Sequence, residues 1–289
     1  MPGPDGRIII GIHGLRPKPP ADVEERYWRG AICEGLARNC GTHVAPEALP
    51  FALCYWADWR GDPPKDPTTD DEPWEAIQGS GPLPEYHETW RDRIRTELGD
   101  ETGDVIDWFK AHGAPGLLGA AALERHAQDL HIYYTDDGRR GLLRRRLRDL
   151  LIDHAGKRIC LIAHSMGSIV AYDVLRLIGD ERPDFTIEHL VTIGSPLALP
   201  YVRRKIIQEH RAARTPSVVR RWSNLADRWD RIATDVVLNG DFSPNARGVE
   251  PADDLVLNLY VGRSGEPNHH KSWGYLRTPE LSRLVLELV

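Results

Sequence analysis

Apolar residues in this chain fall into two patterns. Residues 7–12 (RIIIGI) and 159–162 (ICLI) are uninterrupted runs, as expected of strands covered on both faces. Residues 48–59 (core FALCYW), 187–193, 218–225 and 255–261 (LVLNLYV) read as four more strands. Between them the spacing turns helical. Trp28, Ile32 and Leu36 recur one turn apart and predict a helix over 22–38 with Asp22 as N-cap. Leu143, Leu147, Leu150 and Leu151 share one side of a helix over 141–154. Further helices are expected at 168–178, 202–213 and 280–289. Strands alternating with helices predict a parallel sheet.

The alternation breaks between 60 and 130. Residues 60–81 are rich in Pro, Gly and Asp and predict no regular structure for most of their length. Three helical pieces follow, marked by Trp90, Ile94 and Leu98, by Val105, Ile106, Trp108 and Phe109, and by the segment 117–130. The chain thus divides into a core (1–59 and 131–289) and a helical insertion (60–130), either a cap over a site or a peripheral decoration. Asp70, Asp71 and Glu72, and the run Arg144-Arg145-Arg146, read as solvated faces.

Length fits two domains or one domain with a cap, at 289 residues. A net charge of −6 argues against a nucleic-acid partner. No apolar run reaches the ~18 residues of a membrane span. The first residues lack the charged and apolar regions of a secretory signal, so a cytoplasmic location is expected. Cys33, Cys40, Cys54 and Cys160 show no CxxC spacing, and neither a disulfide framework nor a zinc site is expected.

Candidate chemistry concentrates where 159–162 meets 168–178. The joint, Ala163-His164-Ser165-Met166-Gly167, is a small-residue corner around a serine. Strand, small-x-Ser-x-Gly, helix is the context of a nucleophile elbow, which lifts a serine hydroxyl above a helix N-terminus. An ordinary turn with Ser165 as N-cap explains the same residues. A nucleophile also needs a base, an acid and oxyanion donors, which on a parallel sheet stand just after strands. Two carboxylates, Asp227 and Asp230, follow 218–225. Asp230 is preferred because Ile232-Ala233 can tuck into the core and hold it still. His269 and His270 follow 255–261 in a Gly/Pro-rich loop. His270 is preferred because Trp273 and Tyr275 after it can anchor the loop. The N–H groups of Leu15 and Met166 are the expected oxyanion donors, and His13 reads as a structural hydrogen-bonding residue. The paired histidines have no HExxH or carboxylate cluster beside them, so no metal is expected. His43, His87, His112, His126, His131, His154, His189 and His210 read as surface or satisfied core residues. Ser195 is set aside because Pro196 after it lacks an N–H.

Together these segments resemble a lipase- or esterase-like serine hydrolase of the α/β-hydrolase fold. IIIGIHGL is similar to that family's strand-HG oxyanion segment and AHSMGS to its elbow. TIGSPL, WSNLADRWDRIA and NHHKSWGYL are similar to its strand-six, acid and histidine segments, and Ser, Asp and His occur in the family order. Ala163 stands where Gly is usual, and Asp230-Arg231-Ile232 where Asp-Pro-Val is common. The resemblance covers 7–59 and about 133–289. It implies a minimal fold: an α/β, six-stranded, mostly parallel sheet flanked by helices, without the first two strands of larger members; the cap-like insertion at 60–130 lies outside the resemblance. It implies hydrolysis of a carboxylic ester through an acyl-enzyme, with Ser165 as nucleophile, His270 as base and Asp230 orienting it. A lipid-like or medium-chain acyl ester is the expected substrate, held by Trp90, Trp108, Phe109, Leu117 and Leu118 if the insertion is a cap. Thioester hydrolysis or acyl transfer would use the same residues, and a non-catalytic ligand-binding protein would need none of them. No cofactor is implied, and peripheral membrane contact is compatible with the reading.

Overall fold

The computed structural model describes residues 6–15, 17–87, 128–230, 232–233 and 236–289. The expected insertion helices, with Trp90, Trp108, Phe109, Leu117 and Leu118, lie outside the described residues except for 128–130, which are helical in a stretch running to 135. Among the described residues six strands are formed: β1 (Arg7–Ile12), β2 (Phe51–Cys54), β3 (Arg158–His164), β4 (His189–Ile193), β5 (Trp222–Ala226) and β6 (Pro251–Leu255). They make one sheet in the order β2-β1-β3-β4-β5-β6, parallel throughout. Among the described residues the named helices are α1 (Ala21–Cys40), α2 (Asp137–Asp153), α3 (Met166–Glu181), α4 (Pro200–His210), α5 (Ser272–Leu276) and α6 (Pro279–Leu286), and residues 128–135 are also helical. This is an α/β fold. No described helix is long and apolar enough to cross a membrane.

The two-residue period of the strands sorts the core into two layers. Ile8, Ile10 and Ile12 of β1 and Ile159, Leu161 and Ala163 of β3 pack with Leu143, Leu147 and Leu151 of α2 and Ile169 and Val170 of α3. Ile9, Cys160 and Ile162 point the other way, into a core with Trp28, Ile32 and Leu36 of α1 and Leu281 and Val285 of α6. Covered on both faces, β1 and β3 need apolar residues at every position, which is why they read as unbroken runs.

From β1 the chain passes to β2 on one side and then returns to β3 on the other. Connections leave in opposite directions at that point, the place where open α/β sheets bind their ligands. Gly14 follows β1 and Ser165 follows β3.

Several elements differ from expectation. Strand 48–59 contracts to Phe51–Cys54, preceded by a 3-10 turn at Pro46–Ala48. The strand expected at 255–261 is instead Pro251–Leu255. An edge strand tolerates Pro and polar side chains, and the apolar run after it serves the site rather than the sheet. Helix α1 starts at Ala21 with Pro20 in the cap position, leaving Asp22 in its first turn. Helix α2 starts earlier than Gly141 because Asp136 caps it, its carboxylate accepting from Arg139 N at 3.0 Å.

Arg144 does not point to solvent. It donates to Asp173 Oδ2 at 2.7 Å and to both Glu209 oxygens at 2.6 and 2.8 Å. Tyr133 OH and His210 Nε2 complete the partners of Asp173 at 2.6 and 2.9 Å. This network ties α2, α3 and α4 together. Burial opposes the charge on Asp173, but His210, Arg144 and Tyr133 hold its carboxyl below the usual range.

Candidate active site

Only Ser165 separates the end of β3 from the start of α3. The turn is therefore sharp, with Ser165 at φ 54° and ψ −131°. An L-residue held there costs on the order of 1–3 kcal/mol and persists only where its surroundings enforce it. Ser165 N donates to Ile193 O at 3.1 Å, and Ser165 O accepts from Ser168 N at 2.8 Å. Ser168 Oγ closes the corner on Ala163 O at 3.0 Å. Gly167 lets α3 abut β1, since a Cβ there would lie 2.7 Å from His13 O. The Ser165 side chain makes no capping hydrogen bond, so the N-cap reading lacks its defining contact.

The hydroxyl points instead to the histidine loop. Ser165 Oγ lies 2.9 Å from His270 Nε2, and His270 Nδ1 lies 2.9 and 2.8 Å from the two Asp230 oxygens. Asp230 also accepts from Tyr275 OH at 2.7 Å, Ile232 N at 2.9 Å and Ala233 N at 3.3 Å. Burial works against its charge, but His270 and these donors outweigh that, and its carboxyl sits below the usual range. An ionised, fixed Asp230 keeps the proton on Nδ1 and leaves Nε2 as the acceptor facing Ser165.

Asp227 and His269 stand apart as a second pair at 3.5 Å. The Asp227 carboxylate is occupied by Trp229 N at 2.7 Å and Asn258 N at 2.6 Å. His269 Nδ1 lies 3.2 Å from Asn258 O. The Asp227 contact holds the His269 proton more tightly than usual. This pair braces the loop on which His270 sits.

That loop is held at consecutive peptide groups. Asn258 Nδ2 donates to His269 O at 2.7 Å and Lys271 O at 2.8 Å. His164 Nε2 lies 2.8 Å from His270 O, and His270 N donates to Asn268 Oδ1 at 3.0 Å. Asn268 is in turn bonded to Glu72 Oε1 at 2.7 Å. Glu72 also pairs with Lys271 at 3.2 Å and takes Trp273 Nε1 on its carbonyl at 3.0 Å. Asp70 is buried and bound by Lys65 at 2.6 Å. The expected solvated acidic face at Asp70 and Glu72 is thus a strap across the histidine loop.

The loop after β1 abuts the serine. A Cβ on Gly14 would lie 2.6 Å from Ser165 Cβ and 3.2 Å from Ser165 Oγ. His13 is buried and stacked on Trp56 at 5.0 Å. Its Nε2 accepts from Trp56 N at 3.0 Å and its Nδ1 meets Gly14 O at 2.8 Å. Burial, then Lys18, pushes its pKa down to about 3, so the ring is neutral and Nδ1 carries the hydrogen. Fixing the Gly14 carbonyl also fixes the planar peptide that follows, and Leu15 N–H points the opposite way. Among the described residues none accepts a hydrogen bond from Leu15 N or Met166 N. Met166 N belongs to the first turn of α3, whose partial positive charge favours an anion.

Ser195 Oγ accepts from Leu197 N at 3.3 Å and is a turn residue. Asp173, Glu209 and His210 bring ligand-type atoms within 4.8 Å of one another. Arg144 already bridges both carboxylates, so the cluster is neutralised by the protein itself. Sequence reasoning passes over His164, Asn258 and Glu72. Only Asn258 carries a signal, as the polar residue inside LVLNLYV. No protein-family model matches the chain, and no curated protein matches it.

Proposed function

We propose that the chain is a serine hydrolase of the α/β-hydrolase type that cleaves carboxylic esters through an acyl-enzyme. The observation that carries the reading is the unbroken chain Ser165 Oγ–His270 Nε2 at 2.9 Å and His270 Nδ1–Asp230 Oδ2 at 2.8 Å. It stands at the sheet's switch point, on a strained turn, beside two backbone N–H groups with no described acceptor.

In this reading His270 Nε2 takes the Ser165 proton as Oγ attacks the ester carbonyl. The carbonyl oxygen gains negative charge and is held by Leu15 N–H and Met166 N–H. The tetrahedral adduct collapses, the C–O bond to the alcohol breaks, and His270 returns its proton to the leaving oxygen. Water then attacks the acyl-enzyme, again giving its proton to His270, and the acid departs as Ser165 recovers its proton. Asp230 stays ionised and holds the imidazolium that forms in each half. Exposed apolar side chains beyond the ends of β5 and β6, Trp229, Leu259 and Val261, support an acyl ester with an apolar chain as substrate.

The test is hydrolysis of p-nitrophenyl esters of graded chain length. Wild type turns over medium-chain esters best, and Ser165→Ala lowers kcat by at least ~10³-fold with the fold intact. Full activity in Ser165→Ala removes the proposal, and equal weak activity at all lengths removes the apolar-chain part.

A further inference from the structure

We propose that His164 is a positioning residue for the base, tying the nucleophile strand to the His270 peptide and so setting the distance between His270 and Ser165. The inference rests on the serine-hydrolase reading above. His164 is the last residue of β3, immediately before Ser165. Its Nε2 lies 2.8 Å from His270 O. A carbonyl only accepts, so Nε2 carries the hydrogen. Burial pushes the ring's pKa well below the ordinary value, and His270 beside it adds to this. The ring is therefore neutral, and Nδ1 carries a lone pair.

That nitrogen is buried and has no hydrogen-bond partner among the described residues. It faces Gly14, where a Cβ would come within 2.9 Å of it. Leaving a buried nitrogen unpaired costs free energy, and phenylalanine would fill the same space without that cost. What imidazole adds over an apolar ring here is the Nε2–H bond to His270 O.

The bond closes a short circuit. It runs from Ser165 Oγ to the His270 ring, through the His270 carbonyl to His164 Nε2, and back along the backbone to Ser165. The rings of His164 and His270 also pack, with centroids 4.8 Å apart. Asn258 holds the carbonyls on either side of residue 270. Without His164 the His270 carbonyl loses this partner. Its peptide stays held through Lys271 N, which donates to Asn268 O at 3.1 Å, and the carbonyl end can tilt and carry the ring with it.

Three variants separate the roles. His164→Phe keeps an aromatic ring and loses the donor. His164→Gln places an amide nitrogen as many bonds from Cβ as Nε2, and His164→Asn places one at the level of Nδ1. Ester hydrolysis, labelling of Ser165 by a fluorophosphonate and thermal melting are measured for each. Folded His164→Phe and His164→Asn are expected to lose kcat by ~10–100-fold with KM within about twofold, the cost of a sub-ångström misplacement. His164→Gln recovers at least half of that loss on a logarithmic scale. Wild-type kcat in folded His164→Phe, or equal loss in His164→Gln and His164→Asn, overturns the positioning role alone. If His164→Phe does not fold, the Gln–Asn comparison decides. Wild type that neither hydrolyses esters nor labels at Ser165 removes the parent reading and this role with it.

Discussion

Replacing Tyr275 with Phe removes one oxygen from the acid side of the site. That oxygen donates to Asp230 Oδ2 at 2.7 Å and accepts from Asp227 N at 3.0 Å. The residue is fully buried, so water does not replace either contact. A hydrogen bond to a charged group is worth ~1.5–3 kcal/mol, and an orphaned buried N–H costs ~1–3 kcal/mol. The two losses share one atom and are not fully additive. Together they predict a stability loss of about 2–4 kcal/mol at pH 7. The pH dependence has a definite sign. The Asp230 carboxyl sits below its usual range in the folded protein, despite burial, because of His270, Tyr275 and Ile232. Such a group stabilises the fold fully above the unfolded value near ~3.9 and ceases to do so as pH falls through the folded value. Removing the Tyr275 donor raises the folded value, so the gap between wild type and variant narrows as pH falls through the variant's folded value toward the wild-type one. Urea denaturation followed by circular dichroism at pH 7 and pH 3.5 measures it. A gap under ~0.5 kcal/mol at pH 7, or one that does not shrink in acid, refutes this account of Asp230.

Gly14→Ala places a Cβ 2.6 Å from Ser165 Cβ and 2.9 Å from His164 Nδ1. A folded protein with kcat/KM reduced ~100-fold is expected in the ester assay. Arg144→Gln leaves Asp173 buried without its guanidinium and is expected to cost about 3–5 kcal/mol in urea denaturation. Activity per folded molecule is retained in that variant, because the network joins helices and does not touch the serine.

The interior strands are legible because cover on both faces demands an unbroken apolar run, and 7–12 is predicted and observed with the same bounds. β6 is not, because an edge position admits Pro251, Asp253 and Asp254. The run 255–261 misleads for a related reason. Val256 and Tyr260 are buried against the layer of α1 and α6, while Leu259 and Val261 are exposed. Ser165, Asp230 and His270 are legible as a set, since each follows a strand-like run in a fixed order. Their supports are not. His164 meets His270 across the sheet ends, and Glu72 reaches Asn268 from the far side of the undescribed stretch 88–127. Contacts so distant in sequence leave no local pattern, and a charged Glu72 reads like any solvated acid.

The central claim is that Ser165 is an activated nucleophile because of where His270 and Asp230 hold it. Reaction of the folded protein with a fluorophosphonate, followed by peptide mapping, tests this most directly. The account predicts one covalent adduct, on Ser165, that does not form when the protein is unfolded before reaction and that forms at least ~10²-fold more slowly in His270→Gln. An adduct on another serine, or none on Ser165 in folded protein, contradicts it.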